Sequence, residues 1–331
     1  MTARVLVTDH AWPHLDVETS VLAAADAELV VAGTGDLDEL VALAGDVEAI
    51  LTCFAQVPAQ VLDAAPRCRT VARYGVGLDN IDVARATELG MIVSNVVDYC
   101  TDEVADHTFM MILALARRLV PLHRDVVAGG WGAEVPGTSR RLRGRTLGLV
   151  GLGAIGRAVA TRAAVIGMRV VALRRSGAET LGIETVGRLE DLLAVAEVVS
   201  LHLPLTADTA GLMDAAAFRA MRPDAWLVNT ARGGLVDTDA LLAALERGEL
   251  AGAALDVTDP EPLPAAHPLR SRPDVVLTPH SAFASDGSLA ELARRAAKNV
   301  VEVLAGRVPA SIVNPEVLTS PTLRMSPAAT R

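Results

Sequence analysis

Short apolar runs alternate with amphipathic stretches along the whole chain. In the first third the runs are Arg4–Thr8, Glu28–Val31, Ala49–Thr52, Thr70–Arg73 and Ile92–Asn95. They are dominated by consecutive Val, Leu and Ile, the pattern of strands covered on both faces. Helix-like stretches lie between them, such as Glu18–Ala25 and Ile81–Leu89, the second followed by Gly90 as a stop signal. This alternation predicts a parallel sheet with crossover helices. A long helix is expected over Asp102–Leu119, capped by Thr101, with Asp102 and Glu103 where the helix dipole favours negative charge. The stretch Pro121–Arg143 holds Gly129, Gly130, Gly132 and Pro136 and predicts irregular structure, a linker or an arm reaching a partner subunit.

A second α/β run starts at Arg145. Its expected strands are Thr146–Val150, Arg169–Leu173, Val198–His202, Ala225–Asn229, Gly252–Asp256 and Val275–Thr278. A final helix is expected over Ser288–Ala305. Ser288 and Glu291 have capping-box spacing, Leu289, Leu292, Ala296 and Val300 line one face, and Gly306 ends it. The tail from Thr319, rich in Ser, Thr and Pro, is expected to fray.

Composition narrows the classes. The 331 residues are 51% hydrophobic and 21% charged, which excludes a largely disordered, collagen-like or disulfide-scaffold chain and leaves room for two domains. Aromatic residues are 3%, so the core must be built from Ala, Val and Leu. A net charge of −10 argues against nucleic-acid and anionic-membrane partners. Cys53, Cys68 and Cys100 form no C-x-x-C pair, so neither a disulfide framework nor a zinc site is expected, and no other metal-ligand spacing occurs. The longest apolar run, Phe109–Ala116, is too short to span a bilayer, and the N-terminus has no signal-peptide core. A soluble cytoplasmic protein is expected.

The segment Gly151-Leu152-Gly153-Ala154-Ile155-Gly156 reads G-x-G-x-x-G, between an expected strand and an expected helix over Gly156–Ile166. In that context it is a dinucleotide fingerprint. Gly151 permits the tight turn, Gly153 lets backbone amides approach a diphosphate, Gly156 lets helix and strand pack, and the helix N-terminus supplies partial positive charge. At the end of the next strand, where an NAD site carries Asp or Glu, the chain has Arg174-Arg175-Ser176, with no carboxylate before Glu179. Two guanidiniums and a hydroxyl suit the 2′-phosphate of NADP; an Arg stacked on adenine with NAD as cofactor is the alternative.

Three further segments each follow an expected strand: Asn229-Thr230-Ala231-Arg232-Gly233-Gly234, Asp256-Val257-Thr258-Asp259-Pro260-Glu261-Pro262 and Thr278-Pro279-His280. Arg, Glu and His thus sit beyond the carboxyl ends of strands, where open α/β sheets bind ligands. With this ordered set the chain resembles the D-isomer-specific 2-hydroxyacid dehydrogenases, from about Arg4 to Glu316. The stretches Arg73-Tyr74-Gly75-Val76-Gly77-Leu78-Asp79-Asn80 and Asp98-Tyr99-Cys100-Thr101-Asp102-Glu103-Val104-Ala105-Asp106 look most like the branch containing the C-terminal-binding-protein corepressors and their bacterial enzyme relatives.

The resemblance implies two doubly wound parallel-sheet domains: a Rossmann cofactor domain over 99–284, inserted in a flavodoxin-like substrate domain of residues 1–98 and 285–331. Crossovers near Tyr99 and Ser285 would act as hinges, with the active site in the cleft between domains. Arg232 would orient the substrate's carboxylate and carbonyl, His280 would be the general acid and base, and Glu261 would hydrogen-bond His280. Asp256 would contact the nicotinamide amide. Gly75, Val76 and Gly77 would offer amides to the substrate carboxylate. Thr108, Ala154, Ile155, His202, Leu203, Pro204, Thr209, Thr230, Ala231 and Ala282 match cofactor-contacting positions, although His202, like His107, reads as a structural residue when taken by itself. Arg73 could bind a second anionic group on the substrate or form a structural ion pair. Phe283 stands where this branch often has Trp, which alters the pocket wall.

The expected function is reduction of a small 2-keto acid to a D-2-hydroxy acid with NADPH, by a homodimer assembled through the cofactor domain. The same reaction with NADH, or a cofactor-sensing regulator of weak activity, are the alternatives.

Overall fold

The computed structural model describes residues 2–132, 135–174 and 182–325. The chain divides into two compact units: Met1–Tyr99 with Ser285–Arg331, and Cys100–Ala284. The first holds strands β1 (Ala3–Val7), β2 (Ala27–Val31), β3 (Ala49–Thr52), β4 (Thr70–Arg73) and β5 (Ile92–Ser94) in the order β2-β1-β3-β4-β5, every neighbouring pair parallel. This is the flavodoxin-like order. Helices α1 (Asp16–Leu22), α2 (Leu37–Leu43), α3 (Ala59–Asp63) and α4 (Val83–Glu88) connect the strands. Leu6, Ile50, Val71 and Val93 face Leu40, Val61, Leu62 and Ala86 in one apolar cluster.

The second unit begins with α5 (Thr101–Arg117) and α6 (Leu119–Val127). Its strands are β6 (Thr146–Val150), β7 (Arg169–Leu173), β8 (Glu184–Val186), β9 (Val198–Leu201), β10 (Trp226–Asn229), β11 (Gly252–Leu255) and β12 (Val275–Leu277). They run β12-β11-β10-β9-β6-β7-β8, all parallel. That is the Rossmann order with one added strand, and its switch point lies between β6 and β9. Helices α7 (Ala154–Val165), α8 (Leu189–Val195), α9 (Ala215–Ala220) and α10 (Thr238–Arg247) complete the unit. Side chains alternate along each strand. Val199, Leu201, Leu227 and Leu255 join Leu192, Phe218 and Leu241 on one face. Val198, Val228, Leu147 and Leu149 join Met111, Ile112 and Val159 on the other. Both faces being covered is why these strands read as continuous apolar runs. Among the described residues no helix is long and apolar enough to cross a membrane.

Four local expectations are corrected. Thr101 does not cap α5: the helix starts on Thr101 itself, with Cys100 at the cap position and no side-chain cap bond. The stretch after Pro121 is not wholly irregular. Arg118 turns left-handed at φ 56° and ends α5, and α6 then runs through Pro121 in its first turn, where the missing N–H has no partner inside the helix. The final helix, α11 (Asp286–Leu304), starts earlier than expected, because its capping box is Ser285 with Ser288, while Glu291 pairs with Arg294. Residues Thr319 to Met325 do not fray: Arg324 Nη1 donates to the carbonyls of Ala65 and Cys68 at 2.9 and 3.1 Å, and its amide donates to Gly90.

Candidate active site

The glycine turn closes the carboxyl end of β6. Gly151 has φ 103°, and a Cβ there would meet the His202 carbonyl at 2.3 Å, so the turn packs directly on the end of β9. A Cβ on Gly156 would meet the Gly151 carbonyl at 2.4 Å, whereas one on Gly153 would meet nothing within 4 Å. Two glycines therefore serve internal packing and the third keeps an open approach. Gly153 is the N-cap of α7, so the amides of Ala154, Ile155 and Gly156 lack an acceptor four residues back within the helix. An exposed, unblocked helix N-terminus at the switch point fits a dinucleotide diphosphate.

His202 follows β9 beside this turn. Its amide donates to Val150 at 2.8 Å and its Nε2 lies 2.9 Å from Ser200 Oγ. Burial pushes its imidazole down to about 4, so it is neutral at physiological pH and brings no charge to the glycine turn. Leu203 and Pro204 continue the loop. Thr209 Oγ1 donates to the Pro204 carbonyl at 2.7 Å and accepts from the Thr206 amide at 2.8 Å, so its hydroxyl braces its own loop. At the end of β7, the Arg174 amide donates to Val186 and its side chain is exposed. Arg175 and Ser176 lie outside the described residues.

Thr230 and Thr108 meet below the adjoining loop with their hydroxyls 2.8 Å apart, and Thr108 donates to the Val104 carbonyl. Asn229 shapes the Arg232 turn: its Oδ1 accepts from the Ala231 amide at 3.0 Å and its Nδ2 donates to the Arg232 carbonyl at 2.8 Å. Arg232 Nη1 donates to the Ala231 carbonyl at 2.7 Å. A Cβ on Gly233 would meet the Thr258 carbonyl at 1.9 Å, so glycine is what lets the Arg232 turn lie against the loop that carries Glu261.

That loop delivers Glu261 to His280: Nδ1 and Oε1 are 2.6 Å apart. With Nδ1–H donating to the carboxylate, Nε2 is the nitrogen left for proton exchange. The His280 ring meets Phe283 edge-on, with centroids 6.0 Å apart. His280 has φ 51°, a backbone state non-glycine residues rarely hold. Asp256, 2% exposed, holds it there. Its Oδ1 accepts from Thr278 Oγ1 at 2.5 Å and the Ser281 amide at 2.9 Å, its Oδ2 accepts from the Ala282 amide at 2.9 Å, and its carbonyl accepts from the His280 amide at 2.7 Å. The Asp256 carboxylate thus organises the His280 loop, a role that sequence reasoning missed. Thr278 and Asn229 were in view within the motifs, but their partners become visible only in three dimensions.

In the first unit, Arg73 is 8% exposed and its Nη1 donates to the Tyr74 carbonyl at 2.5 Å. A Cβ on Gly75 would meet that Nη1 at 1.6 Å, so the guanidinium presses its Nη1 against the glycine loop. The Val96 amide donates to the Gly75 carbonyl and Asn95 Nδ2 to the Val76 carbonyl, at 3.0 and 2.9 Å, which fixes the peptide planes around Val76 and Gly77.

Residues 109–282 match the D-isomer specific 2-hydroxyacid dehydrogenase NAD binding domain. A glyoxylate reductase of Thermofilum pendens is 40% identical over 270 residues, 80% of each chain. The crystal structure of a Thermus thermophilus protein superposes with a TM-score of 0.87 at 40% identity, over 94% of this chain and 99% of that one. An NADPH-dependent glyoxylate/hydroxypyruvate reductase of Sinorhizobium meliloti, solved with NADP and malonate, gives a TM-score of 0.87 at 31% identity over the full length of both chains.

The His202 shift predicts an acid-side stability loss. The unfolded imidazole takes up a proton near its ordinary value of 6.5 and the folded one only near 4, so stability is complete above pH 6.5 and falls between 6.5 and 4 by roughly 3 kcal/mol. Thermal melts across that range should show a shallower decline in His202→Asn than in the parent; parallel curves would contradict the assignment.

Proposed function

The chain belongs to the D-isomer specific 2-hydroxyacid dehydrogenase family of NAD(P)-dependent oxidoreductases, and we propose that it reduces glyoxylate to glycolate, and similarly small 2-keto acids to D-2-hydroxy acids, with NADPH. The observation that carries this reading is the 2.6 Å contact of His280 Nδ1 with Glu261, on a loop packed against the Arg232 turn. The bound cofactor supplies the hydride that adds to the carbonyl carbon. Arg232, with its planar fork, takes the substrate carboxylate and turns the carbonyl toward His280. His280, protonated on both nitrogens, gives its Nε2 proton to the carbonyl oxygen as that oxygen becomes an alkoxide. Glu261 keeps the Nδ1 hydrogen and stabilises the imidazolium before transfer. In the reverse direction neutral Nε2 takes the hydroxyl proton. Val76 and Gly77 are assigned to the substrate carboxylate on the family resemblance, with Arg73 stiffening their loop.

NADPH over NADH is read from Arg174, exposed at the end of β7 where the ribose 2′-position is recognised in this fold. The NADP-bound Sinorhizobium relative supports the same choice. A homodimer is supported by Leu119, Val127 and Trp131, which are 60, 73 and 88% exposed along and just beyond α6, an apolar surface that a partner would cover. Cys53, Cys68 and Cys100 are all buried, which fits a reducing, cytoplasmic setting.

His280→Ala should lower kcat by roughly 10²–10⁴-fold, the contribution of general acid catalysis, with cofactor affinity retained; an unchanged kcat removes His280 from the proton transfer. Arg174→Asp should weaken NADPH binding by roughly 10- to 100-fold relative to NADH, as expected for one charge-assisted bond. Equal losses for both cofactors would assign the 2′-position elsewhere. Sedimentation at micromolar concentration should give a dimer, and a monomer would refute the assembly.

A further inference from the structure

We propose that His107 is a positioning residue for the His280 proton donor, acting through Thr278 and Asp256; the proposal rests on the role given to His280 above. His107 stands on α5, with its side chain 16% exposed and its Nε2 3.0 Å from Thr278 Oγ1. Thr278 Oγ1 is in turn 2.5 Å from Asp256 Oδ1. The directions of these two bonds follow from counting protons. An ionised carboxylate only accepts, and a hydroxyl owns one proton, so Thr278 gives its proton to Asp256. The hydroxyl can then only accept from His107, which must carry its hydrogen on Nε2. That hydrogen also faces Asp256 Oδ1, 3.5 Å from the ring nitrogen.

The result is a polarised line from helix to loop, His107 to Thr278 to Asp256, in which each bond strengthens the next. It ends on the carboxylate that gathers the Ser281 and Ala282 amides, while the Asp256 carbonyl holds the His280 amide. His280 needs that restraint, because its φ of 51° is unfavourable unless its surroundings enforce it. Helix α5 packs against α7 and β10, so the line ties a strained loop to a rigid element. Neither His107 nor Thr278 is used in the proton transfer itself. Their contribution is to hold Nε2 of His280 where transfer can occur, so their loss should lower kcat more than it raises KM.

The test compares His107→Leu, His107→Gln, Thr278→Val and the His107→Leu/Thr278→Val double variant. Turnover of glyoxylate is measured at saturating NADPH, and amide hydrogen exchange at Ser281 and Ala282 is measured in the cofactor-free protein. His107→Leu should lower kcat about tenfold, the scale of one lost hydrogen bond, with KM within about twofold, and should speed exchange at both amides. His107→Gln, whose amide can still donate to Thr278, should recover most of both. The double variant should be no worse than Thr278→Val alone. Equal losses in the Leu and Gln variants, additive losses in the double variant, or unchanged exchange at Ser281 and Ala282 would each overturn the proposal. If His107→Leu does not fold, Thr278→Val breaks the same line from its other side and must give the same split and the same faster exchange. A parent enzyme that turns over no 2-keto acid would defeat the functional reading, and the exchange measurement would still decide the His107 line.

Discussion

The loop that carries His280 depends on one buried carboxylate. A charge as enclosed as that of Asp256 costs several kcal/mol unless hydrogen bonds replace its water. Here the replacement comes from one hydroxyl and two amides, and all three donors belong to the segment around His280. Satisfying the carboxylate and shaping the loop are therefore the same event. The left-handed backbone of His280 follows from it, and so does the direction of the imidazole, whose Nδ1 is brought onto Glu261.

Close backbone approach does for the other loops what Asp256 does for this one. Gly233 allows the Arg232 turn to press on the Thr258 carbonyl, and Gly151 allows the cofactor turn to press on His202. Both contacts lie just beyond the carboxyl ends of strands, where the sheet order reverses or where neighbouring loops converge. The electrostatics divide along the same line. The glycine turn presents amides and a helix N-terminus beside a neutral His202, while the ionisable side chains Arg232, Glu261 and His280 sit on the neighbouring loops.

Much of this was legible in the sequence because the signals are local. The buried strands of both units follow from runs of Val, Leu and Ile, and G-x-G-x-x-G followed by the Arg, Glu and His motifs identifies the cofactor turn and the candidate catalytic set. What escaped was set at a distance or at an edge. Strand β8 is only three residues, Glu184-Thr185-Val186, at the sheet margin, too short and too polar to carry a pattern. Helix α6 was hidden by Pro121, whose place in a first turn is harmless. The α11 cap moved to Ser285 because two serines satisfy each other there without Glu291. The line from His107 to Thr278 joins residues far apart in the chain, and no spacing rule reaches across it.

The most direct test of the account is consumption of reduced cofactor, followed by its absorbance, with NADPH and NADH run in parallel against glyoxylate, hydroxypyruvate and bulkier 2-keto acids. Rapid, saturable loss of signal is expected with NADPH and the smallest substrates, with formation of the D-hydroxy acid where the product is chiral. Tight NADPH binding with no turnover of any 2-keto acid would contradict it.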